Sequence, residues 1–165
     1  MQMRRFTLVR SLALSVMLTL MVVQVLVFAP DASAQAKKHE STWDTEFTNI
    51  DCQTGVPTAA PTQTLETYLP GGTMLQSTKR LLFRTPGYGI WKHMTERNFL
   101  TSFTFFRFNT DGTQAGRGEI TEQIELGEDT DEFAATGIAK VFDVNGDLTL
   151  TVCLTATGRR LTFDE

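Results

Sequence analysis

Residues 141–160 read VFDVNGDLTLTVCLTATGRR. Asn145-Gly146 is the strongest hairpin signal in the chain, because hairpin turns call for positive φ and Asn-Gly tolerates it. After the turn, Leu148, Leu150, Val152, Leu154 and Ala156 alternate with Thr149, Thr151, Cys153, Thr155 and Thr157. A period of two puts the first set on one face of a strand and the second on the other, and predicts a buried leucine face. The run before the turn, Glu132 to Phe142, carries the same β-branched and small apolar residues. It reads as the antiparallel partner.

Working outward, the same rhythm recurs in short runs ended by Gly, Pro, Asn or Asp, and no stretch shows a period of 3.6. Strands are predicted at Thr45–Cys52, Thr62–Leu69, Thr73–Thr78, Tyr88–His93, Asn98–Phe108, Gln114–Leu126, Glu132–Phe142 and Leu148–Thr157. Eight strands with short connections and no crossover helix predict an all-β, up-and-down antiparallel meander. Pairing the first strand with the last closes it into a barrel and removes both exposed edges. The two cysteines agree with closure: Cys52 ends the first strand and Cys153 sits in the eighth, which only closure makes neighbours. A redox or metal pair would call for a close spacing such as CxxC, not the 100 residues between these two.

The first 34 of the 165 residues stand apart. Arg4, Arg5 and Arg10 precede an uncharged run from Ser11 to Pro30, and Ala32-Ser33-Ala34 has the small-residue pattern of a processing site. Residues 1–34 are therefore expected to be a secretory signal peptide, and export to an oxidising compartment suits a disulfide. The alternative is an uncleaved anchor, for which the apolar run is long enough. Residues 35–44 are polar and read as a flexible leader, leaving 45–165 as one domain. Without the signal, 12 Lys and Arg stand against 18 Asp and Glu, a net charge near −6. Nucleic acid is not an expected partner, because phosphate binding needs a basic face and only the pairs Lys37/Lys38, Lys79/Arg80 and Arg159/Arg160 are available. After signal cleavage, no membrane is expected either.

The fifth strand is apolar on both faces, with Phe99, Phe103 and Phe105 on one and Leu100, Phe106 and Phe108 on the other. Three readings follow. The outer row is covered by the leader, loops or the tail around Leu161 and Phe163; it forms a subunit interface in a homo-oligomer; or the inner row lines a cavity for an apolar ligand.

The strings RTPGYGIWKHMTERNFLTSFTFFRFN (Arg84–Asn109) and VFDVNGDLTLTVCLTATGRRL (Val141–Leu161) resemble a group of small exported bacterial proteins, similar in pattern to calycin and lipocalin-like β-barrels. Gly89-Ile90-Trp91 also spells the G-x-W of lipocalins, in which the tryptophan plugs one barrel end and a late arginine stacks on it. The resemblance implies that Trp91 and Arg159 or Arg160 play those parts, although lipocalins carry the motif on their first strand.

Catalytic patterns are sparse. His93 is the general-base candidate outside the leader, and His39 lies within it. Glu119 and Glu125, six residues apart on one strand, are separated by roughly 20 Å, too far for paired-carboxylate chemistry. The acidic turns at Glu128–Glu132 and Asp143–Asp147 do not fit the twelve-residue calcium loop. No metal or cofactor is expected. The expected function is an exported non-catalytic barrel that binds a small apolar or amphipathic ligand, or a protein partner. Trp91, Phe103 and Phe105 would line the site, with Arg107 or Tyr68 as a polar anchor. The rival readings are a barrel enzyme of the allene oxide cyclase or dirigent kind, which needs an inward acidic or basic group with a shifted pKa, and an oligomeric interaction protein.

Overall fold

A computed structural model describes residues 37–79 and 82–163. The expected signal peptide at 1–34 lies outside the described residues. The chain forms eight strands: β1 (Ser41–Ile50), β2 (Thr62–Leu69), β3 (Thr73–Thr78), β4 (Gly87–Thr95), β5 (Asn98–Phe108), β6 (Gln114–Leu126), β7 (Glu132–Phe142) and β8 (Leu148–Arg160). All pairs are antiparallel, and the sheet closes in chain order with β1 bonded to β8. The expected up-and-down barrel is the observed fold, consistent with a lipocalin-like barrel.

The seam between β1 and β8 places Ile50 opposite Cys153, and Cys52 lies two residues beyond. Cys52 and Cys153 form a disulfide with a Cα–Cα distance of 5.2 Å. A disulfide of this kind is compatible with an oxidising, exported location.

β1 starts at Ser41, four residues before the predicted boundary, so the end of the segment read as a flexible leader is part of the sheet. Trp43 and His39 are both fully buried. The physical reason is parity: Trp43, Thr45 and Phe47 share the inward face, and an indole among polar neighbours supplies enough apolar area to extend the strand. Its indole N–H donates to the His39 carbonyl at 3.1 Å, which fixes the turn before β1 inside the barrel end.

β8 also corrects an expectation. Leu154 and Ala156 are buried, but Leu148 and Leu150 are each 53 % exposed. β1 ends at Ile50, so β8 before Cys153 pairs only with β7 and extends past the closed part of the barrel. On β5 the inner row is Phe99, Phe103 and Phe105, the last partly buried. Phe106 on the outer row is exposed, and so is Phe163 in the tail expected to cover it.

Inward glycines make room for rings. A Cβ on Gly89 would lie 2.5 Å from Phe103 Cβ and 2.6 Å from its Cα, against backbone that cannot rotate away. At Gly87, Gly118 and Gly158 the atoms met are the rings of Phe103, Phe105 and Phe133, and such packing lets an eight-stranded barrel fill with aromatics. Gly89→Ala is expected to destabilise the fold by roughly 3 kcal/mol, read as a lower denaturation midpoint at unchanged slope. A loss below about 0.5 kcal/mol, the range of a neutral surface change, would show that β4 and β5 are not this close.

Candidate functional site

One end of the barrel is plugged by aromatic side chains: Trp43 from β1, Tyr68 from β2, Trp91 from β4, Phe99 from β5 and Phe133 from β7. His39 sits among them, its ring centroid 3.8 Å from Tyr68 and 4.5 Å from Phe99. The guanidinium of Arg160, at the end of β8, lies 4.4 Å over the Trp43 ring, and it donates to the carbonyls of Lys38 and Thr130. The tryptophan–arginine stack implied by the lipocalin resemblance is therefore present, with the first-strand Trp43 in the role assigned to Trp91. Trp91 is buried in the same plug, and its indole N–H donates to the Leu69 carbonyl at 2.9 Å.

Beneath the plug the interior turns polar. Thr45, Glu66, Gln76, Thr101 and Glu122 are all buried, and polar groups in such a place cost stability unless they are paired. The register sets Glu66 opposite Trp43 on one side and Gln76 on the other. Its Oε2 accepts the Tyr68 hydroxyl at 2.6 Å and its Oε1 accepts the Gln76 amide at 3.3 Å. Arg84, ahead of β4, donates to the Gln76 carbonyl oxygen, and its guanidinium stacks 3.6 Å over Phe105. A hydrogen-bonded chain thus runs Tyr68, Glu66, Gln76, Arg84, from the plug toward Phe105.

Glu122 enters from β6, between Ile120 and Ile124 on the buried face. Gly137 of β7, opposite it, leaves the space its side chain occupies. Glu122 Oε1 and Thr45 Oγ1 have no hydrogen-bond partner among the described residues. Burial pushes the Glu122 carboxyl well above the usual range, and the neighbouring Glu66 adds to the rise. Burial likewise lifts Glu66 to about 7, against the opposing pull of the Tyr68 and Gln76 hydrogen bonds and of Arg84. Burial lowers Arg84 to about 10, partly countered by Glu66. His39 is held down to about 3 by burial and by Arg160, and both its ring nitrogens lack partners. Among the described residues, the interior therefore brings together two acids with raised pKa, an imidazole held neutral and the guanidinium of Arg84.

Of the residues expected to bind a ligand, Tyr68, Trp91 and Phe103 are buried and Phe105 is partly buried. Arg107 is half-buried near the Phe105 end, its backbone bridged to Arg84. The structure brings Tyr68 into the polar cluster and places Phe105 under Arg84. Surface concavities lie elsewhere. One, of about 890 Å³, has Asp44, Glu46, Arg97, Glu132 and Arg159 in its wall, another, of about 430 Å³, lies beside the disulfide and reaches Glu122, and a third is walled by Thr64, Leu65 and Thr78. None is lined by the five residues named above. His93, the general-base candidate, bonds the Glu96 carbonyl at 3.0 Å through Nε2 and belongs to the β4–β5 hairpin.

The outer face of β2, β3 and β4 carries exposed Leu65, Leu69, Leu75, Tyr88 and Ile90, with Phe106 of β5 nearby. Glu66 and Glu122 were missed in the sequence, yet their parity was visible. Glu66 shares its face with Tyr68, and Glu122 shares its face with Ile120 and Ile124. A carboxylate at an inward position of a strand is the signal that finds them. No protein-family model matches the chain, and no curated protein is significantly similar to it.

Proposed function

We propose that the chain is exported after removal of residues 1–34 and acts without catalysis, as a carrier of one small molecule with an aromatic or apolar body inside the barrel. The observation that carries this reading is the buried Glu122 oxygen without a partner, set in an aromatic interior beside Glu66 and Thr45. A core assembled for stability alone avoids such groups, and a fold departs from that rule where function requires it. Trp91, Phe103 and Phe105 supply the apolar wall, and Tyr68 supplies a polar anchor. Arg107 stands near the Phe105 end.

The barrel-enzyme reading has one specific observation in its favour: Glu66 is an inward acid with a pKa displaced toward neutrality, the group such chemistry needs. Binding is preferred because each group of the cluster can serve as a hydrogen-bond anchor for a held molecule.

The chain has only two tryptophans, Trp43 and Trp91, and both are buried in the plug. Protein purified gently from its own producer is expected to carry a copurifying small molecule at one per chain in native mass spectrometry, and its removal should change the tryptophan emission. A bare mass, together with emission that no fatty-acid-like probe alters, would overturn the reading.

A further inference from the structure

We propose that the molecule held in the barrel is a small organic cation whose N–H groups donate to the buried Glu122 carboxyl and whose charge faces the Glu122 and Glu66 pair. The inference rests on the carrier reading and adds the chemical class of the ligand.

Three observations carry it. First, two carboxyls, Glu66 and Glu122, are buried as neighbours, and Arg84 is the one cation among the described residues that joins the hydrogen-bonded chain of Glu66. A carboxyl in such a place ionises when a cation pairs with it, and an entering ligand supplies that cation. Second, the chain's own Arg84 shows what the interior accepts, a guanidinium on a phenylalanine face with its N–H donors on an inward amide. Cations favour the faces of aromatic rings, and the plug supplies more of them beside the acids. Third, Glu122 Oε1 is an acceptor without a donor, and it lies in a side chain that is 1 % exposed. An ammonium or amidinium N–H satisfies it with a charge-assisted bond, whereas a carboxylate ligand would be repelled.

Among the described residues, Glu122 has Glu66 and Tyr68 of β2 as its electrostatic neighbours and Thr101 of β5 and Gly137 of β7 as its register partners, none of them a cation. Unliganded Glu122 keeps its proton because of burial and the neighbouring acid. Binding a cation therefore expels that proton, and affinity rises with pH.

The test uses benzylammonium, with benzyl alcohol and benzoate as neutral and anionic isosteres, followed by tryptophan emission and by amide shifts of Thr101 and Gly137. Benzylammonium is expected to bind at least tenfold more tightly than benzyl alcohol, with no binding of benzoate. Its affinity should rise with pH as the two acids give up their protons, Glu66 near 7 and Glu122 in the same direction. Glu122→Gln should abolish the preference for the ammonium over the alcohol. The wild-type pH series stands as an independent readout if that variant folds poorly. Equal binding of alcohol and ammonium, or pH-independent ammonium binding, overturns the cation while leaving the carrier standing. If no probe binds and the protein also carries no copurifying molecule, the carrier reading itself falls.

Discussion

Replacing both Cys52 and Cys153 by serine is expected to lower unfolding free energy by about 4 kcal/mol, near the top of the range for a native bridge in a small domain. The loop it closes is long, with 101 residues of separation, and the bridge sits where the first and last strands meet. Without it, the unfolded chain regains nearly the full freedom of its length, and the β1–β8 seam becomes the weakest closure of the barrel. A single domain of this size has a total stability of roughly 5 to 15 kcal/mol, so the loss is a large share. Denaturant titration measures it, and hydrogen exchange locates it: amides of Phe47 and Thr155, across the seam, should lose protection before those of Thr101 and Glu122. A loss below about 1 kcal/mol would show that the seam closes without the covalent link.

Stability is expected to peak near pH 4.5 and to fall on both sides. Glu66 titrates at about 7 in the fold against 4.5 when exposed, so its contribution is complete below pH 4.5 and is lost as pH rises through 7. That shift corresponds to about 3 kcal/mol, and Glu122 acts in the same direction. His39 works oppositely: its folded value of about 3 lies below the ordinary 6.5, so its contribution is complete above 6.5 and is lost as pH falls through 3. Between pH 4.5 and 6.5 His39 and Glu66 cancel, and Glu122 tips the balance toward acid. Asp51 and Asp111, held low by hydrogen bonds within their turns, steepen the acid side. Glu66→Gln keeps an acceptor for Tyr68 and removes the charge. It should match the wild type near pH 4.5 and exceed its stability at pH 8. A wild-type maximum at pH 7 or above would remove the buried acids from the balance.

The barrel was legible in the sequence because its rules are local. Alternation fixed β2, β3, β5, β6 and β7 at their observed limits, and the turn residues at Asn145-Gly146 and Asp111-Gly112 fixed the hairpins. Closure followed from two cysteines that a flat meander would hold apart. What was not legible was the consequence of closure. Leu148 and Leu150 keep the right parity but stand beyond the end of β1, and no property of β8 itself reveals where its neighbour stops. His39 and Trp43 looked like part of a polar leader, because enclosure by Tyr68, Phe99 and Phe133 comes from strands distant in sequence. The polar interior was hidden for a related reason. Glu66 and Glu122 were passed over, whereas their positions along the strands place them inward.

A carbon-detected NMR titration of the glutamate side-chain carboxyls, run on the wild type and on Glu66→Gln and Glu122→Gln, bears most directly on the acids inside the barrel. Two carboxyls are expected to titrate far above the others, one of them near 7, with one signal vanishing in each variant. If every glutamate of the folded protein titrates near the ordinary value of about 4.3, the interior holds no proton-retaining pair, and the site built on it does not exist.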